Sequence, residues 1–384
     1  MKIAYFADGD CNHGHRWISY FAQDNEVILF CTKSNRLELY KENKNITIYP
    51  ILPSIYPLKN FLYRRKVIKE IKQRISQHQI EIIHSFYAVP YAFWAYHVHF
   101  KNHIVTTRGS DVLVDYKIKF HHYNNFKERI ISYFLKRIFK NALLNAKFIT
   151  STSIRQITEI KKIVPSSEKL KLVRTGVDVK NFTNIYEKLH TQKSNHITVF
   201  SNRAIGPLYN IDLIIDAFCL LRKNIKNCIV KLVQINYYGS KEYYRYIQNK
   251  IDSLPEFKDD ITMLPDQSFP DLLQIYKNSD IIISIPSSDG TPVSSIESML
   301  AKKPLIIGNI SYDEDLFNEN TVWKICSFSE TAIYQKMKEV IESSEEIKQK
   351  KTETAYNIAI QSADFKKEMK KIDQLYYALR NNKN

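Results

Sequence analysis

The stretch Asp280-Ile281-Ile282-Ile283-Ser284-Ile285, followed by Ser287-Ser288-Asp289-Gly290-Thr291-Pro292-Val293-Ser294-Ser295-Ile296-Glu297, decides how this chain folds. The first six residues are a β-branched run of the kind buried in a parallel sheet. Thr291 then offers an N-cap hydroxyl, and Pro292 suits the first helical position, where its missing N–H is not needed. A helix is therefore predicted from about Pro292. Val293, Ile296 and Leu300 fall at i, i+3 and i+7, which turns that stripe to the core and leaves Ser294, Ser295 and Glu297 at the exposed helix mouth. Free N–H groups and the positive dipole end there suit a phosphate. Carboxylates cannot usefully face a phosphate, so Asp289 and Glu297 are expected to accept hydrogen bonds from sugar hydroxyls. An ordinary strand–turn–helix crossover with a solvated Asp and Glu has the same spacing, and spacing alone does not separate the two readings.

Working outward, apolar runs and helical patterns alternate along the 384 residues, the pattern of doubly wound parallel sheets. Strands are predicted near residues 2–7, 26–31, 46–50, 81–85, 103–107, 147–151 and 171–174. A second set is predicted at Ile197–Phe200, Cys228–Ile235, Ile261–Leu264, Asp280–Ile285 and Pro304–Ile307, with helices after it. This gives an N-terminal domain over 1–182, a polar linker over 183–195, a second domain over 196–363, and a C-terminal helix over 364–384 that crosses back to the first domain. The extreme tail, Asn381 to Asn384, reads as disordered.

Composition excludes several classes. An apolar content of 44% supports two domains of about 150–200 residues, each able to bury a core. The five cysteines, Cys11, Cys31, Cys219, Cys228 and Cys326, show no C-x-x-C spacing and read as reduced thiols in the cytosol. No run of 18 apolar residues occurs, and Met1 to Ala7 is too short an apolar segment for a signal peptide. The eight glycines never form G-x-G, so there is neither a dinucleotide fingerprint nor a P-loop. H-E-x-x-H and G-x-S-x-G are also missing. The pairs His13/His15, His97/His99 and His121-His122 lack a Cys or carboxylate at ligand spacing, so no metal is expected.

Charge is concentrated in one half. Residues 1–180 hold 30 Lys+Arg against 14 Asp+Glu, whereas the rest hold 26 of each. Lys59 to Arg74 carries seven basic residues interleaved with Phe61, Leu62, Tyr63, Val67, Ile68 and Ile71, and Lys117 to Lys140 repeats the theme with Phe120, Phe126, Tyr133, Phe134 and Phe139. Basic helices rich in aromatics suit an anionic membrane surface; helices that pack their stripe on a sheet and solvate their charges read the same.

The Asp289-x7-Glu297 spacing followed by Ser298-Met299-Leu300-Ala301-Lys302-Lys303-Pro304 resembles the E-x7-E region of retaining GT-B glycosyltransferases of family four, with Asp where Glu is usual at the first acid. Other segments are similar in order: Asp8-Gly9-Asp10 through His13, His15, Arg16 and Trp17; Ile82-Ile83-His84-Ser85; Arg108-Gly109-Ser110-Asp111, with Arg108 where His is common; Val173-Arg174-Thr175-Gly176-Val177-Asp178 through Phe182; and Ser201-Asn202-Arg203 through Tyr209-Asn210, with Tyr209 where Lys is usual. The resemblance implies an α/β protein of GT-B architecture, two Rossmann-like domains facing a central cleft. It implies retaining transfer from a nucleotide-diphosphate sugar to a glycan or lipid-linked acceptor at the inner membrane face, of the kind used in bacterial surface polysaccharide synthesis.

The residues follow from this resemblance. Asp289, Glu297, Arg203 and His84 are the candidate catalytic set. Asp289 contacts the donor sugar, Glu297 the ribose, and Arg203 the diphosphate. Arg203, Tyr209, Asp289, Gly290, Thr291, Pro292, Val293, Ser294 and Glu297 form the donor site, and Gly9, His13, Arg16, Arg108, Ser110 and Asp111 the acceptor side. Arg203 and the helix start stabilise the leaving diphosphate, so no cofactor or divalent metal is required. His84 ends a strand where such sheets place a ligand crevice, though a strand-end His is also often a hydrogen-bonded core residue. Asp111 either orients an acceptor hydroxyl or caps its own backbone. The alternatives are a same-fold epimerase or hydrolase of nucleotide sugars, and a non-enzymatic binder of anionic polymer. Nucleic acid is not an expected partner, because a neutral second half carrying Asp289 and Glu297 would be left without a role.

Overall fold

The computed structural model describes residues 1–122, 124–192, 194–225, 229–235 and 240–381. The chain divides into two compact units, Met1–Thr175 with the chain from Lys367 onward, and Gly176–Lys366. The strand expected to begin at Cys228 is described only from Ile229; Cys228 itself and residues 382–384 lie outside the described residues, as do the expectations placed on them, whereas Asn381, expected to open a disordered tail, ends the last helix.

In the first unit seven strands, β1 (Lys2–Ala7), β2 (Glu26–Cys31), β3 (Ile46–Tyr49), β4 (Ile82–Phe86), β5 (His103–Thr107), β6 (Phe148–Ser151) and β7 (Leu170–Leu172), pair in the order β3-β2-β1-β4-β5-β6-β7. All neighbours are parallel. Because side chains alternate along a strand, Ala4, Phe6, Ile83, Val105 and Ile149 join one apolar core with Val67, Ile71 and Ile75 from the Phe61–His78 helix and Phe139 and Leu143 from the Phe126–Asn145 helix. On the alternate positions a polar chain runs across four strands. Tyr5 and Tyr376 share a hydroxyl contact of 2.6 Å, Tyr376 meets His84 Nδ1 at 2.5 Å, His84 Nε2 meets Thr106 at 2.6 Å, and Thr106 meets Thr150 at 2.6 Å. Tyr376 comes from the Phe365–Asn381 helix, which is how the C-terminus is tied to this unit. Glu368 at its start accepts from the Arg174 N–H at 2.8 Å.

In the second unit β8 (His196–Ser201), β9 (Ile229–Ile235), β10 (Ile261–Leu264), β11 (Ile281–Ser284), β12 (Leu305–Ile307) and β13 (Trp323–Lys324) take the order β10-β9-β8-β11-β12-β13, again parallel. The order reverses between β8 and β11, and such a switch point opens a crevice at the carboxyl ends of the two strands. Two-residue β13 carries too little periodicity to be read from sequence.

The expected linker is corrected. Residues 179–188 form a helix of the second unit, because Phe182 is fully buried and its ring lies 6.4 Å from those of both Phe269 and Tyr276. The boundary falls at Thr175/Gly176, earlier than residue 182. Gly176 has φ +71, and a Cβ there would lie 2.7 Å from the Phe365 Cα, so the chain can pair Val177 with Asp364 only with glycine before it.

His84 and His103 are both buried and held neutral, each lowered to about 3, by burial and, for His84, also by His103 and Arg108. Their folded pKa values lie below the unfolded one, so the stability they contribute is whole above about pH 6.5 and is lost as pH falls towards 3. The unfolding free energy from denaturant titrations is therefore expected to fall as pH drops through that window, both histidines contributing to the slope. His84→Gln should flatten the slope, and an unchanged slope would contradict the assignment.

Candidate functional site

Arg203 follows β8 and Asp289 follows β11, the two strands that flank the switch point of the second unit. The Arg203 guanidinium donates from Nη2 to Asp289 Oδ2 at 2.7 Å and from Nη1 to Ser294 Oγ at 3.0 Å. Its Cζ stands 4.4 Å from the centre of the Tyr209 ring. The Tyr209 backbone is itself fixed to the Asp289 loop, since Asn210 Nδ2 donates to the Ile285 carbonyl at 2.7 Å and the Ser287 N–H to the Leu208 carbonyl at 2.8 Å. Tyr209, read from the resemblance as standing where a lysine is usual, adds no charge but steadies the Arg203 cation by a cation–π contact. Burial opposes the charge on Arg203, but Asp289, then Tyr209 and Tyr312, outweigh it and raise its pKa above the ordinary value. The group is a fixed cation.

The helix runs over Val293–Leu300 with Pro292 as its N-cap, one residue later than predicted. Pro292 is extended at ψ 127 and its carbonyl accepts from Ser295 and Ile296. Thr291 does not cap, because its hydroxyl donates to buried Asp313 at 2.9 Å. The first helical N–H groups lack intrahelical partners, as at any helix start. Ser294 and Glu297 are half-buried at the mouth, but Ser295 is 1% exposed and belongs to the interior, a second correction. Val293 is half-buried and packs against the core that holds Ile296 and Leu300, as the stripe predicts. Asp289, expected to await sugar hydroxyls, is turned onto Arg203, and its Oδ1 accepts from the Gly290 N–H at 2.7 Å.

Two residues of this site were not singled out from sequence. The buried Tyr276 hydroxyl lies 3.2 Å from both Glu297 Oε2 and the Ser294 carbonyl, and Asn202 Nδ2 donates to Tyr276, the Ser294 carbonyl and Ser298 at 3.0–3.1 Å. They fix Glu297 and the first helical turn together. Tyr276 occupies an apolar position of the Phe269–Asn278 helix, so sequence gave it the look of core; Asn202, next to Arg203, had only its neighbour as a clue.

In the first unit the expected acceptor residues divide. Gly9 is buried and donates to Thr32 Oγ1 at 3.2 Å; a Cβ there would lie 2.7 Å from the Thr32 carbonyl. His13 is half-buried in the first turn of the Asn12–Phe21 helix, and Arg16 donates to the Thr175 carbonyl at 3.1 Å. Ser110 is exposed. His84 is corrected from catalytic candidate to core: it is fully buried, and both ring nitrogens already have partners. For Asp111 the backbone-capping alternative is the one the structure shows. It is fully buried and accepts from the N–H groups of Ala88, Arg108, Gly109 and Val112 at 2.8–3.1 Å. Among the described residues no group of three or more His, Cys, Asp or Glu is placed to hold a metal. No described helix is long and apolar enough to cross a membrane.

Residues 2–153 match the family description "Glycosyl transferase 4-like", and residues 181–358 match "Glycosyl transferases group 1". The chain belongs to the group 1 glycosyltransferases of GT-B fold. Among solved structures, a glycosyltransferase from Rickettsia africae ESF-5 is 16% identical with a TM-score of 0.78, 99% of each chain being covered. The Anabaena protein HepE in complex with UDP-glucose is 14% identical with a TM-score of 0.75, covering 98% of this chain and 100% of its own. WaaG, a glycosyltransferase involved in lipopolysaccharide biosynthesis, is 12% identical with a TM-score of 0.69, covering 97% of this chain and 98% of its own. No curated protein gives a significant match.

For this glycosyltransferase the Tyr209–Arg203 contact is directly testable. Tyr209→Ala is expected to leave the melting temperature nearly unchanged and to weaken nucleoside-diphosphate binding about 3- to 10-fold, from a cation–π contribution of roughly 0.5–1.5 kcal/mol. Tyr209→Phe, which keeps the ring, should bind as wild type; equal affinity in all three by calorimetry would contradict the role.

Proposed function

We propose that this enzyme transfers a sugar, with retention of anomeric configuration, from a nucleotide-diphosphate sugar held by the second unit to a hydroxyl of a glycan or lipid-linked acceptor received by the first. The observation that carries the reading is Arg203, a half-buried fixed cation 3.0 Å from Ser294 at the start of the Val293–Leu300 helix and 2.7 Å from Asp289. A diphosphate entering there meets the guanidinium and the free helical N–H groups together. It displaces Asp289 from Arg203, and the freed carboxylate becomes an acceptor for sugar hydroxyls. Glu297, oriented by Tyr276, accepts from the ribose. As the glycosidic bond to phosphate breaks, Arg203 and the helix start stabilise the departing diphosphate without a divalent metal. That HepE is seen with UDP and UDP-glucose makes UDP the first nucleotide to try, and the part WaaG takes in lipopolysaccharide biosynthesis favours surface glycoconjugate synthesis.

Membrane-surface binding at the inner face of the cell membrane belongs to the same reading. Leu62, Phe126 and Tyr133 are 78%, 74% and 59% exposed on helices whose neighbours include exposed Lys59, Arg65, Lys66, Lys127 and Arg129. Exposed aromatic and aliphatic side chains among lysines and arginines favour an anionic bilayer.

Arg203→Ala and Glu297→Ala are each expected to lower transfer by about 100-fold or more while keeping wild-type circular dichroism, from the usual effect of removing one transition-state donor. EDTA should leave the wild-type rate unchanged, and NMR of the product should show the donor's anomeric configuration. Near wild-type rates in either variant would refute the site. On sedimentation with anionic vesicles at low salt the protein should co-pellet, less so at high salt and less so with Leu62→Ser and Phe126→Ser; an absence of binding would sink the membrane reading.

A further inference from the structure

Arg108 has no role in the donor chemistry, yet it is a half-buried cation set at the carboxyl end of β5, beside the switch point between β1 and β4. Its guanidinium lies over two aromatic rings, 5.3 Å from the centre of Trp17 and 5.8 Å from that of Phe86. Those rings meet edge to face at 5.2 Å, and both side chains are buried, so the floor under Arg108 is rigid. Gly109 at φ +124 turns the chain immediately afterwards, and Asp111 pins the backbone N–H groups of both Arg108 and Gly109. The arginine is therefore placed rather than loose.

What it lacks is an anion. Arg108 Nη1 is buried with no hydrogen-bond partner, and among the described residues no carboxylate pairs with this guanidinium. The nearest acid in sequence, Asp111, spends both oxygens on four backbone N–H groups. Contact with aromatic faces does not replace the missing hydrogen bonds, because stacking leaves the in-plane N–H groups unpaired. A planar fork held on an aromatic floor with its N–H edge unmatched has the geometry that binds a phosphate or carboxylate bidentately.

We propose that Arg108 anchors an oxyanion subsite in the first unit, which takes a phosphate or carboxylate group carried by the acceptor. The assignment rests on the reading above that this unit receives the acceptor. It gives the acceptor a chemical class: the hydroxyl that is glycosylated belongs to a phosphorylated or acidic sugar, or to a lipid-phosphate-linked one, rather than to a neutral glycan.

Ligand-observed NMR titrations with glucose, glucose 6-phosphate and glucuronate, each with UDP in excess to occupy the second unit's diphosphate site, test this. Wild type is expected to bind at least one charged sugar about tenfold or more tightly than glucose, a margin typical of a charge-assisted bidentate pair. Which of the two gains the margin tells phosphate from carboxylate. Arg108→Gln should erase the margin and leave UDP affinity and melting temperature unchanged, while Arg108→Lys, which keeps the charge and loses the fork, should retain part of it. Equal binding of charged and neutral sugars by wild type, or an undiminished margin in Arg108→Gln, would overturn the proposal. If UDP fails to bind while the margin is present and depends on Arg108, the subsite stands and the donor assignment falls.

Discussion

The second unit is organised around a cation that has to be kept at the mouth of a short helix. Left without partners, the Arg203 charge would make its own burial costly. Asp289, Ser294 and the Tyr209 ring surround it with an ion pair, a hydroxyl acceptor and a π face, so that its position is fixed before any ligand arrives. The strand order makes this possible: β8 and β11 are neighbours with connections leaving in opposite directions, which brings the loops after Ser201 and Ser284 to one crevice. Asn202 and Tyr276 extend the same network into the interior and tie Glu297 to it. The site is therefore an extension of the packed core, and its geometry is as firm as the packing beneath it.

The first unit solves a different problem. Four of its strands place polar side chains on one side of the sheet, and burial requires every one of them to find a partner. Tyr5, His84, Thr106 and Thr150 do so by joining in a line, and Tyr376 from the end of the chain completes it. The returning helix is thus held by hydrogen bonds as well as by apolar contact. The same burial that keeps His84 neutral removes it from chemistry. At the rim of this unit Arg108 stands on Trp17 and Phe86.

Much of this was legible in the sequence because the deciding elements are governed by local rules. Ile281–Ser284 is β-branched and bounded by a turn, so its strand was placed to within a residue, and Asp289, Ser294 and Glu297 were found by spacing from it. The errors share a cause. Thr291 was read as a cap because a Thr before Pro has that local preference, but a tertiary partner, Asp313, claimed its hydroxyl. Ser295 is placed at the exposed mouth by the Val293, Ile296 and Leu300 stripe, yet as a small residue it is buried. His84 and Asp111 have side chains suited to catalysis, and only the three-dimensional partners reveal that their hydrogen-bonding capacity is spent. The residues 183–188 were read as a linker from their polarity, whereas Phe182 just before them anchors that helix in the second unit. Tyr276 could not be recognised, since a core tyrosine and one that orients a carboxylate have the same sequence signature.

The central claim, that Arg203 and the Val293–Leu300 helix start form a diphosphate site, is tested most directly by calorimetric titration of the wild-type protein with UDP, the other nucleoside diphosphates and the matching monophosphates. The account predicts that one diphosphate binds clearly, that its monophosphate binds at least about tenfold more weakly for want of the second phosphate group, and that Arg203→Ala abolishes the difference. Equal binding of mono- and diphosphates, or none by any of them, would contradict it.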